Sequence, residues 1–240
     1  GTLVLGSVSN EANMSGGITV NAGTLQITSD DHLSSGTLTL NGGTLAAGTM
    51  AIDNAIVLGA GGGTFNTTAT LQLSGIVSGT GALTKLSVGS LYLRVANNFS
   101  GGLNIHGGMV AAFNSPSALG SGLISLASGT QLGFASITEG TLSNNIQLVG
   151  DATIINRESA NTSIILSGVI SETGGSRNLT LNASSGANSS ITLSGTNTYT
   201  GTTTIRSGII SINNSSNIGS GAIIMSGVGN VFRITGDNVA

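Results

Sequence analysis

The chain has 240 residues, of which 6% are charged and 3% aromatic, with 39 glycines, one proline and no cysteine. The absence of cysteine excludes a disulfide framework, a thiolate metal site and a cysteine nucleophile, and the scarcity of charge and aromatic groups argues against an ordinary enzyme core. Six basic against nine acidic residues leave a net charge of -3, which provides no electrostatic footprint for nucleic acid and no polybasic membrane anchor.

The remaining 39% hydrophobic content is Val, Ile, Leu and Ala, and it comes in short runs. The first is Leu3-Val4-Leu5. A block from Gly16 to Ile27 follows, and then Leu33-Ser34-Ser35-Gly36-Thr37-Leu38-Thr39-Leu40. Next are Ile56-Val57-Leu58, Leu71-Gln72-Leu73 and Leu91-Tyr92-Leu93. The early block then returns as Gly101 to Val110, and its successor as Leu119-Gly120-Ser121-Gly122-Leu123-Ile124-Ser125-Leu126. Ile146-Gln147-Leu148, Ile164-Ile165-Leu166, Leu179-Thr180-Leu181 and Ile191-Thr192-Leu193 lead to a third return, Gly201 to Ile212 with Ile218 to Met225, and the last run is Val231 to Ile234. Alternation with a period of two predicts strands, and the Gly, Asn and Ser between them predict turns. None of the runs approaches the roughly 20 apolar residues of a spanning helix, so no membrane insertion of this segment is expected.

Equivalent runs recur about every 20 residues, which fits one coil of a β-solenoid. The expected fold is all-β: a β-solenoid of about 12 rungs of roughly 20 residues, forming a single segment over residues 1–240. Alternation places Ile18, Val20, Leu38, Leu40, Leu103, Ile105, Leu123, Leu179 and Leu181 inside, and Thr19, Thr39, Asn104 and Thr180 outside. Each rung then buries four to six aliphatic side chains at roughly 1.5 to 3 kcal/mol each, which offsets the ordering entropy only when neighbours cover both faces.

The stretch Ser194-Gly195-Thr196-Asn197-Thr198-Tyr199-Thr200-Gly201-Thr202-Thr203-Thr204-Ile205-Arg206-Ser207-Gly208 resembles the passenger-associated, or autotransporter-associated, β-strand repeat, and the continuation Ile218-Gly219-Ser220-Gly221 fits it too. Asn97-Asn98-Phe99-Ser100-Gly101-Gly102 is a second copy with Phe99 at the place of Tyr199. The third, near Asn13-Met14-Ser15-Gly16-Gly17, lacks the aromatic. The resemblance implies a right-handed parallel β-helix, the passenger of a Gram-negative autotransporter, exported across both membranes to the cell surface or the extracellular space. Neither a leader pattern before Leu3 nor a series of barrel strands is present, so the expectation is a piece of a longer repetitive protein or a unit that polymerises end to end.

Candidate chemistry is sparse. Gly59-Ala60-Gly61-Gly62-Gly63 and Gly79-Thr80-Gly81 lack the Gly-Lys-Ser/Thr ending of a phosphate loop and read as turn glycines. Asp30-Asp31-His32 aligns with Pro116-Ser117-Ala118 and Ser215-Ser216-Asn217 in the other copies and reads as a solvated turn. His106 takes the place of Asn21 and Arg206 and is expected to be exposed. Charge concentrates in Glu139, Asp151, Arg157, Glu158, Glu172 and Arg177, six of the fifteen formal charges. Spacings of 19 to 21 residues suggest that Glu139 stacks on Glu158, Asp151 on Glu172 and Arg157 on Arg177. Paired carboxylates about 5 Å apart serve retaining glycosidases, whereas surface ion pairs on a solenoid serve nothing beyond local structure.

The expectation is therefore a non-enzymatic structural or adhesive segment of a large exported bacterial surface protein, a passenger stalk, an adhesin or part of an extracellular filament, without cofactor or metal. Its partners are neighbouring repeats or copies joined end to end, and a host or cell-surface protein or glycan. The alternative is a polysaccharide-binding or polysaccharide-cleaving β-helix using the 139–177 patch.

Overall fold

The computed structural model describes residues 1–6, 16–33, 35–157, 161–184, 188–227 and 229–236. Among these the regular structure is β throughout, apart from three single-turn 3-10 elements at Asp30–His32, Pro116–Leu119 and Ser215–Asn217. The chain divides into two compact units, Gly1–Ala112 with Ser117–Gly122 and Phe113–Pro116 with Leu123–Ala240.

In the first unit the short strands stack in three parallel sheets. One contains Thr2–Leu5, Thr24–Ile27, Thr44–Ala47, Gly63–Asn66, Leu83–Leu86 and Leu103–Ile105. A second contains Ile18–Val20, Leu38–Leu40, Ile56–Leu58 and Val77–Gly79. The third contains Met50–Ile52, Thr70–Leu73, Ser90–Leu93 and the strand that begins at Met109. Parallel strands need a crossover between them, and here the crossover is the rest of the coil. Because the register repeats, like residues stack on like: Leu71 lies on Leu91, Leu38 on Ile56, and Ile56 on Val77, all buried. No rung closes a core alone, because each ladder is completed by the turns above and below it.

The second unit repeats the plan. Its sheets are Ile124–Leu126, Ile146–Leu148 and Ile170–Glu172; Gln131–Ala135, Ala152–Asn156, Leu179–Asn182, Thr203–Ser207 and Ile223–Met225; and Glu139–Leu142, Ser163–Leu166, Ser190–Leu193, Ile209–Ile212 and Val231–Ile234. The two units together make about 10 turns, fewer than the 12 expected. Turn length explains the difference. Leu25 pairs with Leu45 and Leu71 with Leu91, which is the 20-residue coil, but Ile154 pairs with Leu181 and Ile164 with Ile191, so these coils spend extra residues on loops.

The expected facing holds for Leu38, Leu40, Leu103, Ile105, Leu179 and Leu181, which are buried, while Ile18 and Val20 are half-buried. Leu123 is a correction. It is 45% exposed, because the strand begins one residue later and turns Ile124 and Leu126 inward. Gly63 also departs from its turn reading. It opens a strand facing inward, where a Cβ would come within 2.7 Å of the Leu40 side chain. No helix among the described residues is long and apolar enough to cross a membrane.

Candidate functional site

The charged residues of the second unit fall into separate places, governed by its long coils. Asp151 lies in the turn after Ile146–Leu148, and its cross-turn neighbour is Asn178, 27 residues on. The Asn178 backbone N–H donates to Asp151 Oδ1 at 2.8 Å, and the Asn178 side chain donates to Oδ2 at 2.9 Å. These bonds hold the carboxyl below the usual range, with Arg177 adding attraction. Asn178 Oδ1 in turn accepts from the Thr202 N–H at 2.9 Å, so one polar chain links three successive turns.

Glu172, at the end of its strand, is bonded on both oxygens. Oε2 accepts from the Arg177 N–H at 2.7 Å, and Oε1 accepts from the Thr200 N–H at 3.0 Å and its hydroxyl at 2.6 Å. Burial acts to raise this carboxyl, but the bonds from Thr200 and Arg177 outweigh it and the acidity rises. Arg177 folds back on its own loop, donating from Nε to the Thr173 carbonyl and from Nη2 to the Gly174 carbonyl. These two acids therefore cap turns, each spending its lone pairs on backbone N–H groups.

The expected stacking of like charges is not what the register makes. Leu148, not Asp151, is level with Glu172, and the pairing of Ile155 with Asn182 separates Arg157 from Arg177. Arg157 instead borders a shallow depression of about 370 Å³ with Ile155, Asn182, Ser184 and Ser207. Glu139 is exposed at the start of a different sheet, level with Ser163. Glu158 lies outside the described residues. The structure thus brings Asp151, Glu172 and Arg177 together and leaves Glu139 and Arg157 apart from them.

A more regular arrangement centres on two buried asparagines. Asn97 Oδ1 accepts the Val77 N–H at 2.7 Å, 20 residues back, and its Nδ2 donates to the Ala118 carbonyl at 2.7 Å, 21 residues ahead. Asn197 does the same in the second unit, accepting from the Ile170 N–H at 2.6 Å and donating to the Asn217 carbonyl. The main chain follows suit, Asn97 N–H donating to the Ser117 carbonyl and Asn197 N–H to that of Ser216. Two residues on, Phe99 and Tyr199 are fully buried. Tyr199 shares a hydrogen bond with Thr203 Oγ1 at 2.7 Å, and burial pushes its phenol up. Each ring lies against a glycine of the next turn: a Cβ on Gly120 would come within 2.8 Å of the Phe99 ring, and one on Gly219 would overlap the Tyr199 ring.

The passenger-associated-transport-repeat family matches at residues 1–27, 83–112 and 190–212. Three stretches of the chain are similar to this repeat. The second and third contain the two asparagines and their aromatics, so the wording of the repeat corresponds to a clamp that ties each turn to the one before and the one after. No curated protein and no solved structure matches the chain.

The 3-10 element that follows each repeat closes the clamp. In the last copy Asn217 Oδ1 accepts the Asn213 N–H at 3.1 Å, four residues back, and its Nδ2 donates to the Ser194 carbonyl of the turn before at 3.0 Å. His32 stands at the matching place after the first repeat. Its Nδ1 accepts the Thr28 N–H at 3.3 Å, again four residues back. His32 is only 6% exposed, which corrects the reading of a solvated turn, although Asp31 beside it is exposed. His106, Asn21 and Arg206 are all exposed as expected. In the first repeat Ala12 stands at the place of Asn97 and Asn197, and Met14 at that of Phe99 and Tyr199; both lie outside the described residues.

Proposed function

We propose that this chain is a structural, non-catalytic stretch of an exported surface protein, a passenger segment that serves as a stalk or adhesive surface. The observation that carries the reading is the repeated clamp, Asn97 with Phe99 and Asn197 with Tyr199, built into segments that match the passenger repeat. Its polar investment goes into joining one turn to the next. Asp151 and Glu172 fit the same picture, because acids that already accept backbone N–H bonds are poorly placed to donate or abstract protons in a reaction.

Its partners on this reading are further turns of the same kind. Leu3 and Val4, on an edge strand of the first unit, and Ile223, Ile224, Met225, Val231 and Ile234, on edge strands of the second, are 40% or more exposed. Such edges accept another rung, from the same chain or from a second copy end to end. A host or cell-surface protein or glycan is the second class of partner on this reading.

Labelling of intact source cells with an antibody against the segment tests the localisation. Signal on intact cells that disappears after external protease supports the reading, and signal seen only after permeabilisation overturns it. Incubation of the protein with a polysaccharide panel tests the absence of catalysis. No reducing or unsaturated product is expected, and turnover lost in both Glu139→Gln and Glu158→Gln would establish an enzyme.

A further inference from the structure

Lys85 is the only lysine in the chain, and its side chain is fully buried. It sits in an inward ladder between Phe65 and Ile105, with Leu45 beyond Phe65. The ammonium is met by main-chain oxygen: Nζ donates to the Leu86 carbonyl at 2.6 Å, the Ser87 carbonyl at 2.8 Å and the Gly107 carbonyl at 3.4 Å. The first two belong to the corner after its own strand and the third to the corner of the next turn. Ser87 is itself held across a turn, by a bond from its hydroxyl to Asn66 Oδ1 at 2.5 Å, and it adopts φ +64.

No counter-charge faces the ammonium from the elements around it. Gly63–Asn66 and Leu103–Ile105 in the same sheet, and Ile56–Leu58, Val77–Gly79 and Thr70–Leu73 in the other two, contain no ionisable side chain. Tyr92 and Arg94 are half-buried, and His106 is exposed.

We propose that Lys85 is a register key, a buried cation satisfied in a single alignment of its turn on the neighbouring turns. Aliphatic ladders alone specify register weakly in a solenoid, because a slip of two residues preserves the inward and outward alternation. With Lys85 in the ladder, that slip parts Nζ from the Gly107 carbonyl and Ser87 from Asn66, and leaves one donor of the buried ammonium without its acceptor while the Leu86 and Ser87 carbonyls move with it. Buried polar groups fix alignment in this way in coiled coils, at a cost in stability. The cost is legible here. Burial pulls Lys85 down to about 8 from 10.5. Between those values the unfolded chain holds a proton that the folded chain has released, so stability rises with pH across that window.

The test uses the full chain with carbon-13 lysine, whose single Cε resonance reports Lys85 alone. A midpoint near 8 is expected. Lys85→Met is expected to raise the denaturation midpoint at pH 7, to remove the gain in stability between pH 8 and 10, and to split the amide resonances of residues 83–108 into more than one set. A Cε midpoint near 10.5 overturns the proposal. So does a single set of resonances in the variant, whatever the midpoint. If Lys85→Met does not fold, Lys85→Gln takes its place, with split resonances supporting the key and a single set overturning it.

Discussion

Asn197 accepts the Ile170 N–H at 2.6 Å across 27 residues of chain, and the same side chain donates forward to Asn217. Cutting that side chain back strands a buried N–H and a buried carbonyl at once, each at about 1–3 kcal/mol. Asn197→Ala is therefore expected to lower stability by about 2–5 kcal/mol, and Asn97→Ala by a similar amount. Asn21→Ala, at an exposed position, should change it by less than about 0.5 kcal/mol. Urea denaturation measures all three, and equal effects would show that the buried amides are not the clamp.

Gly219 offers a steric check on the same clamp. A Cβ there meets the Tyr199 ring and, at 2.5 Å, its carbonyl oxygen. Gly219→Ala should cost about 1–3 kcal/mol, in the range of overpacked cores. The ring contact predicts coupling, so in a Tyr199→Leu background the same substitution should cost less. Additive effects in this double-mutant cycle would place the strain on the backbone alone.

Facing can be tested at adjacent residues of one strand. Leu103→Asp puts an unpaired carboxylate into a fully buried ladder and should cost several kcal/mol, whereas Asn104→Asp, half-buried on the outer face, should cost less than about 1 kcal/mol. Thermal unfolding distinguishes the two, and similar shifts would reverse the assigned faces.

That strand also shows why so much of the fold is legible before any coordinates. A ladder needs an apolar residue at the same place in every coil, so Leu83, Leu103 and their like announce both the period and the inward face. Loop length carries no such signal. Nothing between Ile154 and Leu181 says that this coil takes 27 residues, and a 20-residue ruler laid across it pairs Arg157 with Arg177, where the register pairs Ile155 with Asn182. Charge misleads for a related reason. A carboxylate that caps a turn and one that attacks a substrate look alike in one dimension, and a lysine reads as surface until its distance from Phe65 and Ile105 is counted. His32 was within reach of the alignment, which sets it level with the buried Ala118 and Asn217.

Besides the rise that Lys85 gives between about pH 8 and 10, the pH profile should carry two limbs of opposite cause. Tyr199 has its phenol pushed up by burial, so the folded chain keeps a proton that the unfolded chain loses near pH 10. Stability should fall above pH 10, and Tyr199→Phe should flatten that limb while losing the bond to Thr203. At the acid end Asp151 and Glu172 are held low, so their contribution is present above about pH 4 and fades as they protonate. Because both face solvent, Glu172→Gln should shift that limb only slightly. Chemical denaturation at steps from pH 2 to 11 resolves both limbs, and an alkaline limb unchanged in Tyr199→Phe would assign it elsewhere.

The cross-turn side-chain bonds of the two clamps and the polar chains beside them reach over 20 to 28 residues of sequence. A coil therefore finds its partners as soon as the next coil exists, and the loop that must close is of similar size at every step, however long the whole array. Such a chain can be wound onto its growing end like rope onto a drum, with the entropy of ordering met one coil at a time. A polypeptide arriving through a narrow opening, end first and unfolded, meets that condition with no need for its far end.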